Sequence, residues 1–372
     1  MKYVAIILTI LALAAVTAFI VIPAPQEPAP QENETANEPG STELTLVETI
    51  VEGLEIPWDI AFLPGGAMLV TERTGHVIKI ESDGSKHEIP VPGVRQGGEG
   101  GLLGLVLHPD FETNKFVYLY MSAPGSAGET QNRVVRYTFD GETLVQDKII
   151  IEGIPGAIYH DGGRMEFGPD GMLYVTTGDA TRSQIAQDTQ SLGGKILRLT
   201  PEGAAVPNNP FGTRVYSLGH RNPQGLAWDS AGRLWETEHG RSGITSGLDE
   251  INLIEAGKNY GWPDIEGDET QVGMTQPVRH SGSNDTWAPA SLVYLNGSLY
   301  FGGLRGEALY EAVLSGTQVV ELKEHFKGEY GRIRTVRVGP DGMLYLTTSN
   351  RDGRGSPTPG DDKIIRVNPE LL

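Results

Sequence analysis

From about residue 44 onward, apolar residues fall in short runs that end at Gly, Pro, Asp or Asn, and no stretch carries the period of a long amphipathic helix. One strand-turn-strand phrase recurs. It reads Phe62-Leu-Pro-Gly-Gly-Ala-Met-Leu-Val-Thr, then His108-Pro-Asp-Phe with Phe116-Val-Tyr-Leu-Tyr, then Phe167-Gly-Pro-Asp-Gly-Met-Leu-Tyr-Val-Thr-Thr. It continues as Trp228-Asp-Ser-Ala-Gly-Arg-Leu-Trp-Glu-Thr, Leu295-Asn-Gly-Ser-Leu-Tyr-Phe-Gly and Val338-Gly-Pro-Asp-Gly-Met-Leu-Tyr-Leu-Thr-Thr. Pro presets φ and Gly accepts positive φ, so Pro-Asp-Gly between apolar runs predicts a tight turn joining two strands. A third strand follows most copies, as in Val77-Ile-Lys-Ile, Val134-Val-Arg-Tyr, Lys195-Ile-Leu-Arg-Leu, Glu250-Ile-Asn-Leu-Ile and Lys363-Ile-Ile-Arg-Val.

Six such copies, spaced by roughly one blade length, predict an all-β, six-bladed β-propeller of four-stranded antiparallel blades. The sixth copy runs out of chain near Asn368-Pro369, one strand short, whereas Thr45-Leu-Val-Glu-Thr-Ile-Val-Glu-Gly precedes the first copy. The N-terminal strand is therefore expected to complete the last blade and close the ring, which leaves no long unpaired edge.

Ahead of that strand, Val4 to Ile22 form an uncharged apolar run after Lys2. Its length suits a membrane-spanning anchor or a long signal peptide. Val16-Thr17-Ala18 resembles a cleavage site, but Phe19 to Ile22 prolong the run, which favours an uncleaved anchor. Residues 23–42 are rich in Pro, Glu, Gln and Asn and are read as a disordered linker. This divides the chain into 1–22 (signal peptide or anchor), the linker, and a propeller domain over 43–372 at the periplasmic or extracellular face, with residues 4–22 as a candidate membrane tether.

Composition narrows the chemistry. The 372 residues include no Cys, which excludes a disulfide framework, a zinc–thiolate site and a cysteine nucleophile. A formal net charge of −19 argues against a nucleic-acid partner, because phosphate backbones require basic patches. No Gly-x-Gly-x-x-Gly strand-to-helix unit appears, so nicotinamide or flavin bound in the usual way is not expected.

In a propeller the loops entering the innermost strands surround a central channel, and polar segments fall at that point in successive copies. They are Gly97-Gly-Glu-Gly-Gly, His160-Asp-Gly-Gly-Arg, Gly219-His-Arg-Asn-Pro-Gln-Gly, Asp285-Thr-Trp-Ala-Pro and Gly331-Arg-Ile-Arg. Loops after second strands add Gly178-Asp179 with Gln184, and Glu238-His-Gly-Arg leading to Asp249-Glu250. Singly, each has an ordinary explanation: Gly pairs serve turns, a lone His is often structural, Asp179 could cap a loop. Their shared topological position points instead to a functional channel. Arg221, Arg305, Arg332 and Arg334 would make it basic and suit a small polyanion held by forked hydrogen bonds. A neutral His beside a carboxylate suits removal of a hydroxyl proton near neutral pH.

Together, His160-Asp-Gly-Gly-Arg, Gly178-Asp179 with Gln184, Gly219-His-Arg-Asn-Pro-Gln-Gly, Lys258-Asn-Tyr-Gly-Trp-Pro and the Leu102-Leu-Gly loop resemble the soluble glucose/sorbosone dehydrogenase family, and more closely its aldose sugar dehydrogenase branch. The resemblance runs from about Leu44 to the C-terminus. It implies a six-bladed propeller that uses pyrroloquinoline quinone (PQQ) and calcium to oxidise an aldose at C1 and passes the electrons to an external acceptor. It further implies His160 as the base and Asp179 as the group that orients it. Glu99, Asp161, Gln184, Arg221, Asn222, Trp287, Arg305, Arg332 and Arg334 would contact the quinone, Trp287 by stacking, and Gly240 and Arg241 would offer carbonyls to calcium. Better-known glucose-specific members carry Pro at the position of Arg241 and Lys at that of Arg305. Two other readings compete: a calcium-dependent six-bladed lactonase or esterase, which would need channel carboxylates rather than arginines, and a propeller that only binds glycans or proteins.

Overall fold

The computed structural model describes residues 45–243 and 246–372. The apolar run, the cleavage or anchor assignment and the linker all lie outside the described residues.

Six four-stranded antiparallel sheets form the six blades. Their innermost strands are Pro57–Phe62, Leu102–Leu107, Met165–Phe167, Pro223–Trp228, Pro289–Leu295 and Ile333–Val338, each in contact with the next around the central axis. In blade six, Val47–Val51 supplies the outer strand and pairs antiparallel with Ile364–Val367, Val47 opposite Val367 and Thr49 opposite Ile365. Backbone bonds from Gly53 to Gly360 (3.0 Å) and between Leu54 and Asp362 (2.9 and 3.1 Å) extend this seam. Strand Val47–Val51 thus closes the ring, as its likeness to a missing fourth strand predicts.

The turns follow from local chemistry. In Gly168-Pro-Asp-Gly171 the amide of Gly171 donates to Gly168 O at 2.9 Å, Asp170 Oδ1 accepts from Met172 N at 3.0 Å, and Gly171 sits at φ 72°. Gly339-Pro-Asp-Gly342 repeats the turn, with Gly342 at φ 77°.

Blades pack face to face, so both faces of the second strands are dry. Met68–Glu72, Leu173–Thr177 and Leu234–Glu238 are buried throughout, so that polar members such as Thr176 and Glu236 are buried with the apolar ones. The outer strand Lys86–Pro90 is largely exposed. Between blades lie apolar clusters, one of them joining Tyr118, Tyr120, Ile154, Leu173 and Leu197.

Midway down the axis, side chains from three blades meet. Asp59, fully buried, is held by Arg164 Nη1 at 2.6 Å and by Arg337 through two bonds of 3.0 Å; Arg337 also pairs with Glu166. Arg164 lies 4.3 Å from the ring of buried Trp58, and Arg334 lies 5.7 Å from it on the side of the loops. The loops entering the innermost strands emerge at one face of the ring.

Candidate active site

At that face the loops enclose a cavity of about 350 Å³. Blades two and three contribute Glu99, Tyr159 and His160, blade four Arg221 and His239 to Gly243, and blade six Arg332 and Arg354. Blade five adds Thr286, Ala288, Leu304 and Arg305.

His160 Nδ1 lies 2.7 Å from Asp179 Oδ1. The other donors to Asp179 are Thr181 N at 2.7 Å and the indole of Trp262 at 2.8 Å, and the carboxylate is 1% exposed. A carboxylate so surrounded by donors accepts, so Nδ1 carries the proton and Nε2 is the basic nitrogen at the cavity. His160 has φ 64°, the left-handed region that a side chain disfavours, at a site where neighbouring groups fix it. Glycines make room for this loop: a Cβ on Gly178 would collide with the carbonyl of His160, and one on Gly98 with that of Ile158.

Glu99 holds the loop from the other side. One oxygen accepts from His160 N at 3.1 Å, and the other pairs with Arg354 at 2.7 Å. Burial alone would raise the Glu99 carboxyl, but His239, Arg354 and the His160 amide bring it down to about 2. At neutral pH Arg354 is the charged one of the two bases, because burial lowers His239 to about 4.

The predicted cationic set divides by depth. Arg221 lines the cavity, is 7% exposed, and donates to Ser242 Oγ at 3.1 Å, while its Nε has no partner among the described residues. Arg305 also lines it, is exposed, and reaches Ser246 Oγ at 2.7 Å. Arg332 lines it as well but is already paired with Asp352 at 2.8 and 3.0 Å and with Leu304 O at 2.9 Å. Arg334 lies one layer deeper, donating to Gln224 and Ser349 at 3.3 Å, and is not in the cavity wall; burial lowers its guanidinium to about 9.

Four other expected contacts are not brought to the cavity. Gln184 is exposed on the short 3-10 helix Ser183–Gln187. Asn222, fully buried, accepts from Gly162 N at 3.0 Å and so joins blade four to the His160 loop. Asp161 points behind that loop, accepting from Asn132 at 2.9 Å and Ala157 N at 3.2 Å. The ring of Trp287 packs in the blade-five core, 5.6 Å from Phe301 and 5.9 Å from Tyr310.

Gly240 and Arg241 do line the cavity, and Asp249 shapes their loop. Asp249 accepts from Gly240 N at 2.9 Å, Trp287 N at 2.6 Å, Thr286 Oγ1 at 2.7 Å and Ala288 N at 2.9 Å, which ties the loop to blade five. Below it, Glu238 accepts from Arg221 N at 2.6 Å and lies 3.1 Å from His220 Nδ1, while buried Asn252 donates to Glu236, Glu238 and Glu250. Burial, and after it repulsion from Glu238, push the Glu236 and Glu250 carboxyls well above the usual carboxylate range.

Tyr159, Asp352 and Arg354 were not anticipated, and His239 was read as part of a channel loop without a role of its own. The loop after the second strand of blade six, Ser349-Asn-Arg-Asp-Gly-Arg354, is the topological counterpart of the loops bearing Asp179 and His239. The same positional reasoning would have found Asp352 and Arg354 there.

A six-bladed propeller with a His–carboxylate pair at the edge of an arginine-lined cavity defines a class of channel-face enzymes. Residues 54–365 match the glucose/sorbosone dehydrogenase family model, and the chain belongs to that family. It is 33% identical over 346 residues to the aldose sugar dehydrogenase YliI of Escherichia coli, covering 82% of this chain and 91% of that one. With quinoprotein glucose dehydrogenase B of Acinetobacter calcoaceticus it shares 32% identity over 272 residues, 64% of this chain and 56% of the other. The PQQ-bound aldose sugar dehydrogenase of Streptomyces coelicolor superposes with a TM-score of 0.81 at 43% identity, covering 87% and 97% of the two chains.

Proposed function

We propose that this protein oxidises the C1 hydroxyl of aldose sugars with bound PQQ, giving the lactone and passing electrons to an external acceptor. The observation that carries the reading is the pair His160–Asp179, whose free Nε2 stands at a cavity rich in arginine donors. PQQ, when bound, supplies a two-electron acceptor for the C1 hydride. The residues present fit such a polyanion: Arg221 has an unpartnered, buried Nε and Arg305 reaches the cavity, while Arg332 faces it already paired. Calcium fits the carbonyls of Gly240 and Arg241, since a hard cation prefers oxygen ligands. Among the described residues, Arg241 O accepts a single long backbone bond, 3.3 Å, from Gly247 N.

The protein's own part is proton management and orientation. Nε2 of His160 takes the hydroxyl proton as the hydride leaves C1, and Asp179 keeps Nδ1 protonated and stabilises the imidazolium that forms. Glu99 fixes the backbone beneath the base. The hydrolase reading loses support because the cavity carboxylates Glu99 and Asp249 are already committed to protein donors. The apolar run Val4 to Ile22 supports an exported, membrane-tethered location for this activity.

Absorbance spectroscopy of purified protein mixed with PQQ and calcium, then glucose, tests the proposal. Bound quinone should be reduced on sugar addition and stay oxidised without it. Full dye-linked activity in chelator with no added PQQ would contradict it.

A further inference from the structure

Tyr159 and His160 are consecutive, yet both line the cavity. Neighbouring side chains of an extended strand point to opposite sides. The left-handed φ of 64° at His160 breaks that alternation, and the bonds from its ring to Asp179 and from its amide to Glu99 hold it. Tyr159 is 44% exposed and is the one aromatic carbocycle among the residues lining the cavity; Ile158 before it is 63% exposed. The Tyr159 hydroxyl has no hydrogen bond among the described residues, so the ring is not there to complete the fold. Its orientation is nevertheless set. The guanidinium of Arg354 lies 5.2 Å from the ring centroid and is anchored by Glu99 at 2.7 Å.

We propose that Tyr159 is a substrate-contact residue whose ring packs against the C–H face of an aldopyranose and turns its anomeric hydroxyl toward Nε2 of His160. The inference rests on the dehydrogenase reading and adds to it the ring form of the sugar and the surface that selects it. A pyranose has hydroxyls at its edge and C–H groups on its faces, so an oriented aromatic beside a basic nitrogen matches both. The Tyr159–Arg354–Glu99–His160 circuit ties the position of this surface to that of the base.

The test uses enzyme reconstituted with PQQ and calcium, and the variants Tyr159→Phe, Tyr159→Leu and Tyr159→Ala. Glucose turnover is measured beside calorimetric binding of 1,5-anhydroglucitol, which keeps the ring and lacks the anomeric hydroxyl. Tyr159→Leu and Tyr159→Ala should raise KM for glucose and Kd for the analogue by roughly three- to tenfold and lower kcat by a similar factor, with PQQ affinity little changed. Tyr159→Phe should match the wild type. Should Tyr159→Ala fail to fold, Tyr159→Leu, which keeps the bulk and loses the aromatic face, decides the question. Unchanged KM and Kd in Tyr159→Leu, with an active wild type, overturn the platform alone. A wild type that reduces no bound quinone with any aldose overturns the dehydrogenase reading and the platform with it.

Discussion

The imidazole of His160 and the carboxylate of Asp179 meet at 2.7 Å although they lie on different loops of blade three, and Asp179 is held in turn by Trp262 from blade four. The imidazole is thus oriented by a buried acceptor whose own position is over-determined. Asp179→Asn keeps the shape but places an amide N–H among donors and removes the charge that steadies the imidazolium. Turnover should fall by roughly 10–10²-fold, with PQQ affinity retained. Steady-state kinetics at saturating PQQ, beside a quinone titration, check this.

The arginines should not act alike. Arg221→Gln removes a buried donor with a free Nε and should weaken PQQ binding by about 10–100-fold, leaving turnover at saturating PQQ nearly unchanged. Arg305 is exposed, so Arg305→Gln should cost less than about tenfold, and less still at high salt. Arg332→Ala would leave Asp352 with the Arg354 amide at 2.9 Å and Arg334 at 3.9 Å, and should lower stability by about 1–3 kcal/mol as well as affinity. Quinone titrations paired with denaturant unfolding separate the three.

Asp161 gives a pH signature. Burial raises its carboxyl from 3.8 to about 6, only partly offset by Asn132 and the Ala157 amide. A folded value above the unfolded one means that this group's contribution is complete below about pH 4 and is lost as pH rises through about 6. The rise corresponds to ~3 kcal/mol. Asp161→Asn, which cannot ionise, should therefore gain about that much relative to the wild type between pH 4 and 7.5. A stability difference that stays flat across this range, measured by denaturant unfolding, would contradict it.

Ring closure can be tested by truncation. A chain starting at residue 44 retains Val47–Val51 and should melt like the full protein, whereas one starting at Gly53 leaves Ile364–Val367 without its partner. The second should melt well below the first by calorimetry. Equal melting temperatures would mean that the seam contributes nothing.

Most of the fold was legible because its signals are local. Pro169-Asp-Gly171 and Pro340-Asp-Gly342 specify turns by their own chemistry, and the likeness of Thr45 to Gly53 to a fourth strand exposed the closure. The loops of the site were equally readable, since strand order fixes where they emerge. Depth and direction within a loop were not. Arg332 and Arg334 are two residues apart, yet only the first reaches the cavity. Trp287 turns into the core because Asp249 captures its backbone amide, a bond across 38 positions of sequence. Tyr159 reaches the cavity only because His160 adopts a positive φ, which no residue pattern announces.

The central claim is that His160 is the base, and the reductive half-reaction of the His160→Gln holoenzyme tests it most directly. Stopped-flow absorbance after mixing with glucose reports quinone reduction without the external acceptor. Reduction should be slower than in the wild type by roughly 10²–10⁴-fold, with PQQ affinity and melting temperature preserved. Reduction at the wild-type rate, with weakened PQQ binding, would show instead that His160 clamps the cofactor and that the proton leaves by another group.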